Sequence, residues 1–544
     1  MTATTTTTTN YPTDERIDAP AIAHNLVTSL NAALANRDPA AAADLFLPDG
    51  ADPDPDGAAA AAASATAYWR DHLVLSWRGL RTLKGRGRIT SFLAEHLSGN
   101  GDGGTVKFAV DETSAFRAPQ AMGLRPLGGV QGAGQAGLSV AARLKMLGIP
   151  TLVIDRNEAV GDNWRKRYRQ LVLHDPVWYD HMPYIPFPDS WPVFTPKDKL
   201  ADWFESYVKT LDLNVWTQSE MLSSSWNDTE KVWTAEIRRV RSDGHTETRT
   251  FHPKHLIIAT GHAGKPYMPS IPGIDSFQGG FIGHSSNFSG AKESGKGKKA
   301  VVIGACNSSM DICQDYVENG YDVTMIQRSS TYVITIDSVL KVAVAVLYEE
   351  GGPPTEDSDI AVWGWPSEAL KSLQVDLTKI VGERDKETLE ALNRAGFKTD
   401  TGPSRGGIFA KYLQRGGGYY IDVGGAKLII DGKIKVKHGQ EVVQILPNGL
   451  KLADGSELEA DEIVFATGYD NMRTTAKSIL GGQLPDSVGD VWGWDEEGEM
   501  RTIWTNSGHP GLWFHGGNLA LCRYNSRLVA LQILAKLKGL EGKA

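Results

Sequence analysis

The chain is poor in cysteine. Its 544 residues include three, Cys306, Cys313 and Cys522, too few for a disulfide scaffold and in keeping with a reducing compartment. No His or Cys stands beside Cys306 or Cys313 at metal-ligand spacing, so no metal site is expected. Apolar runs long enough to cross a bilayer are missing, so no transmembrane segment is expected. The opening stretch, MTATTTTTTNYPTDER, has neither the basic nor the apolar segment of a secretory signal. Residues 1–16 therefore read as a disordered tail, and the expected location is cytoplasmic. A surplus of positive charge is absent too: 56 Lys and Arg face 65 Asp and Glu, a net charge of −9. That balance excludes general attraction to nucleic acid or to anionic membranes.

What is present is an ordinary globular composition, 41% hydrophobic and 22% charged, spread over a chain too long for one core. Residues 17–118 read as a small α+β unit. It comprises a helix over 17–48, an Asp-Pro and alanine loop over 51–67, a short helix and a second helix within 68–97, and a strand at 105–110. Its Trp and Leu spacing resembles the polyketide-cyclase-like cone domain. From about residue 127 the pattern becomes strand–turn–helix, with expected strands at 151–155 and 232–237, one from His255 that breaks at Gly261, one in AVVIGA (300–305), and one in EADEIVFATGYD (459–470) that ends in Ala-Thr-Gly. The expected fold class is α/β.

Two turns carry the chemistry. In GAGQAG, Gly132, Gly134 and Gly137 fill the positions that turn the chain tightly, admit a diphosphate and let helix pack on strand. The helix that follows offers unpaired N–H groups to phosphate. Asp155 ends the next strand, where a carboxylate bonds both hydroxyls of an unphosphorylated ribose. The stretch before the turn, RPLGGVQ, reads as a poor and distorted strand because glycines replace its apolar residues, and weakened cofactor binding is expected there. The second turn has Gly304 but Cys306 and Ser309 in the remaining glycine slots. Arg328 follows its next strand, where a guanidinium suits a 2′-phosphate. Cys306, at a helix N-terminus, is a candidate for a lowered pKa, although a small packing residue is the plainer reading.

Two such turns with FQGGFIGHSSNF (277–288) between them resemble the flavin-containing monooxygenase family, whose signature is Phe-x-Gly-x-x-x-His-x-x-x-Phe/Tyr. Gly280, His284 and Phe288 keep that spacing, while Phe277 stands one residue too far upstream. The segments 161–188, 195–207 and 466–470 look similar to fungal relatives of the plant indole-pyruvate monooxygenases. The resemblance implies two dinucleotide-binding, Rossmann-like domains, with an FAD domain (125–290 and 466–544) split by an inserted NADPH domain (296–465) that carries a helical insertion at 335–400. It implies FAD lined by Gly132, Gly134, Gln135, Gly137, Asp155, Asn163 and Trp164. NADPH would be held by Gly304, Asn307, Ser308, Ser309, Arg328 and Ser329. His174, in the segment LHDP, would stand beside the C4a-(hydro)peroxyflavin, and His284 would brace the hinge between domains.

Trp164, Trp178, Tyr179, Tyr184, Trp191 and Trp203 would wall the flavin site, though most such aromatics are simply core. The implied reaction is transfer of one oxygen atom from O2 to a small organic substrate, by N- or S-oxidation or by oxidative decarboxylation of an α-keto acid. Baeyer–Villiger oxygenation and a nucleotide-binding pseudo-enzyme stay open. A disulfide reductase does not, since no cysteine lies between Gly132 and Phe277. Oligomeric state is left open by the sequence.

Overall fold

A computed structural model describes residues 128–540 apart from 483, the backbone of Tyr68–His72 and Leu80–Lys84, and residues 29 and 32. The two short segments are strands that pair with each other, where a helix was expected. Each is five residues long, and the first opens on Tyr68 and Trp69, side chains that favour strands. Within the expected helix 17–48, residues 29 and 32 are helical. The tail, the 51–67 loop, the helix after Lys84 and the 105–110 strand lie outside the described residues.

The main body begins with Gly128–Gln131 (β1), Thr151–Ile154 (β2), Val215–Trp216 (β3) and His255–Ile258 (β4). A second set follows: Phe281–His284 (β5), Lys299–Ile303 (β6), Asp322–Gln327 (β7), Ile434–His438 (β8) and Glu462–Phe465 (β9). Leu512–Phe514 (β10) then returns to the first set. The resulting sheets are wholly parallel, in the orders β10-β4-β1-β2-β3 and β5-β9-β6-β7-β8. The first sheet is thus interrupted in sequence by the whole of the second. All four residues of β4 and of β9 are buried, as expected for parallel strands covered on both faces. Strand β5 belongs to the second sheet, although the sequence had grouped it with the first.

The expected distortion of β1 is not found. It is a central strand, in register with β2 on one side and β4 on the other over all four residues. A Cβ on Gly129 would come within 2.9 Å of the Leu256 side chain. The neighbouring strand's leucine therefore takes the volume that an apolar β1 residue would have filled.

Helix Gln135–Met146 (α1) leaves the first turn and Asn307–Glu318 (α2) leaves the second. In each half a three-stranded antiparallel meander (219–251 and 442–459) precedes the last crossover strand. Strands β4 and β9 then both run out into Ala-Thr-Gly, at 259–261 and 466–468. The two halves are one plan used twice.

Helix Thr355–Trp363 (α3), within the insertion after β7, is fastened to the C-terminal helix Leu519–Leu537 (α4). The guanidinium of Arg523, 1% exposed, donates to both Asp359 oxygens at 2.7 and 2.6 Å and to the carbonyls of Tyr179 and His181. Arg143 on α1 adds a bond to Glu356 at 3.0 Å. The insertion is thereby anchored on the half that its sequence position interrupts.

Candidate functional site

The first turn needs its glycines for reasons the coordinates make explicit. Gly132 has φ of 111°, and a Cβ there would stand 2.7 Å from the Ala259 carbonyl oxygen. A Cβ on Gly137 would meet the Gly132 carbonyl oxygen at 1.8 Å, so α1 can approach the turn only without one. Gly134 is the N-cap, and a Cβ there would press on the Asn163 amide at 3.0 Å. No side chain caps α1, which leaves its first N–H groups facing outward.

Asp155 is buried beside this turn and accepts from Ala133 N–H at 2.7 Å and from the backbone and side chain of Asn157 at 2.8 and 2.9 Å. A carboxylate has about four acceptor positions, so one remains, on Oδ2. The sequence-based expectation of two ribose hydroxyls is corrected to one, because the loop itself consumes the rest. Trp164 is held by its indole N–H on Gln135 Oε1 at 3.3 Å, and Gln135 in turn donates to the Gly517 carbonyl at 3.2 Å.

The second turn keeps the same path with different side chains. Gly304 has φ of 131°, and a Cβ would stand 2.4 Å from the Ala466 carbonyl oxygen. Cys306, the N-cap of α2, sits at φ −113° and ψ −169°, an extended conformation open to any residue. That is why a cysteine is tolerated there. Its thiol does not have the lowered pKa entertained from sequence: burial pushes it up to about 11, against the weaker pull of Lys411 and Arg415. Ser309 is 1% exposed and its hydroxyl has no partner. Asn307 spends its side-chain oxygen on the Ile421 N–H at 2.9 Å. The Arg328 side chain is 75% exposed, with Glu441 at 3.7 Å.

Both turns open into one cavity of about 1120 Å³. Every cofactor residue named from the sequence lines it except Gly137, which lies behind Gly132. The cavity also contains residues the sequence reading missed: the cations Arg156, Lys166, Arg167, Lys411 and Arg415, the Gly416-Gly417-Gly418 run, Thr260 and His262. The glycine run was the available signal for part of this set. Burial lowers the His262 pKa to about 4, so this ring is neutral. Four buried polar atoms on residues lining the cavity lack partners: Gln131 Oε1, Thr260 Oγ1, Ser309 Oγ and Thr475 Oγ1. Two uncapped helix N-termini, a ring of cations and orphaned polar atoms fit two phosphate-bearing dinucleotides.

Neither proposed catalytic histidine lines the cavity. His174 turns its Nε2 toward Asp311 on α2, 3.7 Å away, where Tyr168 also donates at 2.7 Å. His284 donates from Nε2 to the Gly468 carbonyl at 2.8 Å and accepts the Ser286 N–H on Nδ1. Burial lowers its pKa, which keeps it neutral in that role. It ties the end of β5 to the loop after β9, two parts of the second sheet, so the brace is within one domain.

Of the aromatics expected as walls, Trp164 lines the cavity. Trp191 and Trp203 pack with Phe187 in a separate cluster, Tyr179 packs on Tyr348, and Tyr184 lies exposed under Arg143. Trp178 is packed against the core.

Comparison with known proteins agrees with this geometry. A family model described as pyridine nucleotide-disulphide oxidoreductase matches residues 130–349. The probable indole-3-pyruvate monooxygenase YUCCA1 of Arabidopsis thaliana is 29% identical over 343 residues, covering 62% of this chain and 74% of its own length. Indole-3-pyruvate monooxygenase YUCCA1 of Oryza sativa subsp. japonica is 28% identical over 394 residues, covering 71% and 85%. Among solved structures, a flavin-containing monooxygenase from Stenotrophomonas maltophilia aligns with TM-score 0.50 at 18% identity, over 75% of this chain and 98% of its own. The chain is thus similar in sequence to indole-3-pyruvate monooxygenases and in fold to a flavin-containing monooxygenase. A cyclohexanone monooxygenase shares the fold, with TM-score 0.52, 15% identity, and 76% and 88% coverage. The protein is an oxidoreductase whose cofactors are FAD and NADPH. The cysteine pair of a disulfide reductase is absent, all three cysteines being free. Among the described residues no helix is long and apolar enough to cross a membrane.

Proposed function

We propose that the chain is an NADPH-dependent flavin monooxygenase in which the first turn seats FAD and the second seats NADPH. The observation that carries this assignment is the contrast across one cavity, with Asp155 at the first turn and Arg328 at the second. A carboxylate accepts from a free ribose hydroxyl and repels a 2′-phosphate. A guanidinium does the reverse.

Bound FAD would supply two-electron uptake from NADPH and activation of O2. The chain's own residues do the rest. The N-termini of α1 and α2 meet the two diphosphates, and the remaining Asp155 acceptor takes one ribose hydroxyl. Trp164, fixed by Gln135, walls the space between. The neutral His262 and the Thr260 hydroxyl present polar groups without charge to that space.

For the substrate we favour an aromatic α-keto acid undergoing oxidative decarboxylation. This reading is supported by the relatives, two of which are indole-3-pyruvate monooxygenases matched over most of their length. It is also supported by the cations Arg167 and Lys166 in the cavity. The test uses the full chain reconstituted with FAD. NADPH should bleach the flavin anaerobically much faster than NADH does. Oxygen and an aromatic 2-oxo acid should then yield carbon dioxide and an acid one carbon shorter. Absence of NADPH-dependent bleaching removes the enzyme assignment. Bleaching with oxidation of amines or sulfides, or conversion of ketones to esters, removes the keto-acid reading alone.

A further inference from the structure

The second turn has lost two glycines, and what they provide elsewhere must come from another source. A diphosphate on a glycine turn is held by backbone N–H groups because no side chain intervenes. At the mouth of α2 Cys306 and Ser309 stand in the two glycine positions, and both residues line the cavity. Facing them is the end of the helix Gly407–Arg415, followed by Gly416-Gly417-Gly418. Gly416 and Gly418 have φ of 74° and 99°, so the loop adopts a path other residues would resist.

This loop and helix end lie against the turn. The Gly418 N–H reaches Cys306, and both Lys411 and Arg415 act electrostatically on the thiol. Lys411 is buried, with its ammonium 3.0 Å from Asp400. Asp400 is itself fixed by the Gly402 N–H at 2.7 Å. Arg415 is exposed and lines the cavity, and no carboxylate pairs with it among the described residues. The buried Ser309 hydroxyl, on a residue that lines the same cavity, is a second polar group at this point left without a partner.

We propose that Arg415 and Lys411, backed by the 416–418 glycine loop, complete the diphosphate seat of the second turn from across the cavity. The diphosphate of NADPH is then held between side-chain cations and a partly obstructed helix N-terminus, where FAD has a full glycine turn. This rests on the assignment of the second turn to NADPH. It separates two anion sites on one coenzyme: Arg328 answers the 2′-phosphate, and Arg415 with Lys411 answers the diphosphate.

The experiment measures calorimetric Kd values of NADP+ and NAD+ on the FAD-reconstituted full chain. Arg415→Ala removes an exposed side chain, so folding is preserved. It should raise both Kd values by a common factor of at least about tenfold, the loss of one charge-assisted contact. Arg328→Ala should raise the NADP+ value alone. In a Cys306→Gly/Ser309→Gly background the Arg415→Ala effect should shrink to about threefold, because the diphosphate can then settle onto α2, a coupling that a merely structural arginine would not show. Unchanged Kd values in Arg415→Ala, or an effect confined to NADP+, overturns the proposal while saturable NADP+ binding by the unmodified chain leaves the NADPH assignment standing. Failure of the unmodified chain to bind NADP+ overturns that assignment and this proposal with it.

Discussion

Replacing Gly137 with alanine tests whether the first turn is a cofactor seat or only a way of joining strand to helix. The added Cβ would lie 1.8 Å from the Gly132 carbonyl oxygen and 3.2 Å from a Val130 methyl. Carbon and carbonyl oxygen tolerate no less than about 3.3 Å, so α1 must retreat from the turn by more than 1 Å (about the gap between those two distances). Residues 136–144 of this helix are all buried, and a shift of that size in a packed core costs about 1–3 kcal/mol. The same shift draws the free N–H groups of α1 away from the diphosphate. Losing one or two charge-assisted contacts of about 1.5–3 kcal/mol each should weaken FAD by at least about tenfold. Equilibrium dialysis against FAD, with melting curves with and without the cofactor, measures both effects. A Gly137→Ala protein that binds FAD with unaltered Kd and melts normally would refute the reasoning, since the turn would then tolerate a side chain it has no room for. Ser309 is the internal control. The equivalent slot of the second turn already carries a side chain, and Ser309→Ala removes a buried hydroxyl without a partner. It should leave the stability of the cofactor-free chain within about 1 kcal/mol.

Three other outcomes follow from single features. Arg328→Ala should raise the apparent KM for NADPH by about tenfold and leave that for NADH unchanged; equal losses for both would remove the 2′-phosphate role. Arg523→Met and Asp359→Leu should each destabilise by about 3–5 kcal/mol in urea unfolding, and the double substitution by much less, because a lone buried charge costs more than a missing pair. Additive losses would show that the pair is not what anchors α3 to α4. Burial raises the Asp175 pKa from the usual 3.8 to about 6, so folding takes up a proton between those values. Its contribution is present below 3.8 and lost as pH rises through about 6. Asp175→Asn should therefore melt like the unmodified chain below pH 3.8 and above its temperature beyond about pH 6. Parallel melting profiles across that range would contradict the buried setting of the carboxyl.

What the sequence made legible was local and periodic. Gly132, Gly134, Asp155 and Arg328 line the cavity, and strand–turn–helix units place such residues at set distances along the chain. The strands around them were found because parallel strands buried on both faces are almost continuously apolar, as in HLII and EIVF. The β1 strand was misjudged because its glycines look weak in isolation. Their fit depends on Leu256, more than a hundred residues away. His174 was placed by its position in LHDP, but its direction is set by Asp311 on α2, a contact between the two halves that no local pattern encodes. Lys411 and Arg415 were invisible for the same reason. They sit on a helix with no nucleotide signature, and the small strand Tyr419–Asp422 that follows it is bonded to Asn307 on α2.

The duplicated plan explains why two versions of one motif coexist. A resident cofactor and an exchanging one ask opposite things of a strand–turn–helix unit. The first turn closes tightly: Gly137 admits no side chain, and Asp155 is buried and committed to its own loop by three hydrogen bonds. A ligand seated there inherits a rigid, prepaid geometry, which favours slow release. The second turn offers a seat partly filled by Cys306 and Ser309, and its charge lies on exposed side chains, Arg328 and Arg415, that must be ordered each time a ligand arrives. Exposed cations speed encounter with an anionic coenzyme more than they prolong its stay. On the assignment proposed above, substitution of the second and third glycines is compatible with a second turn that admits NADPH and releases NADP+ in every cycle, while the intact turn retains the flavin.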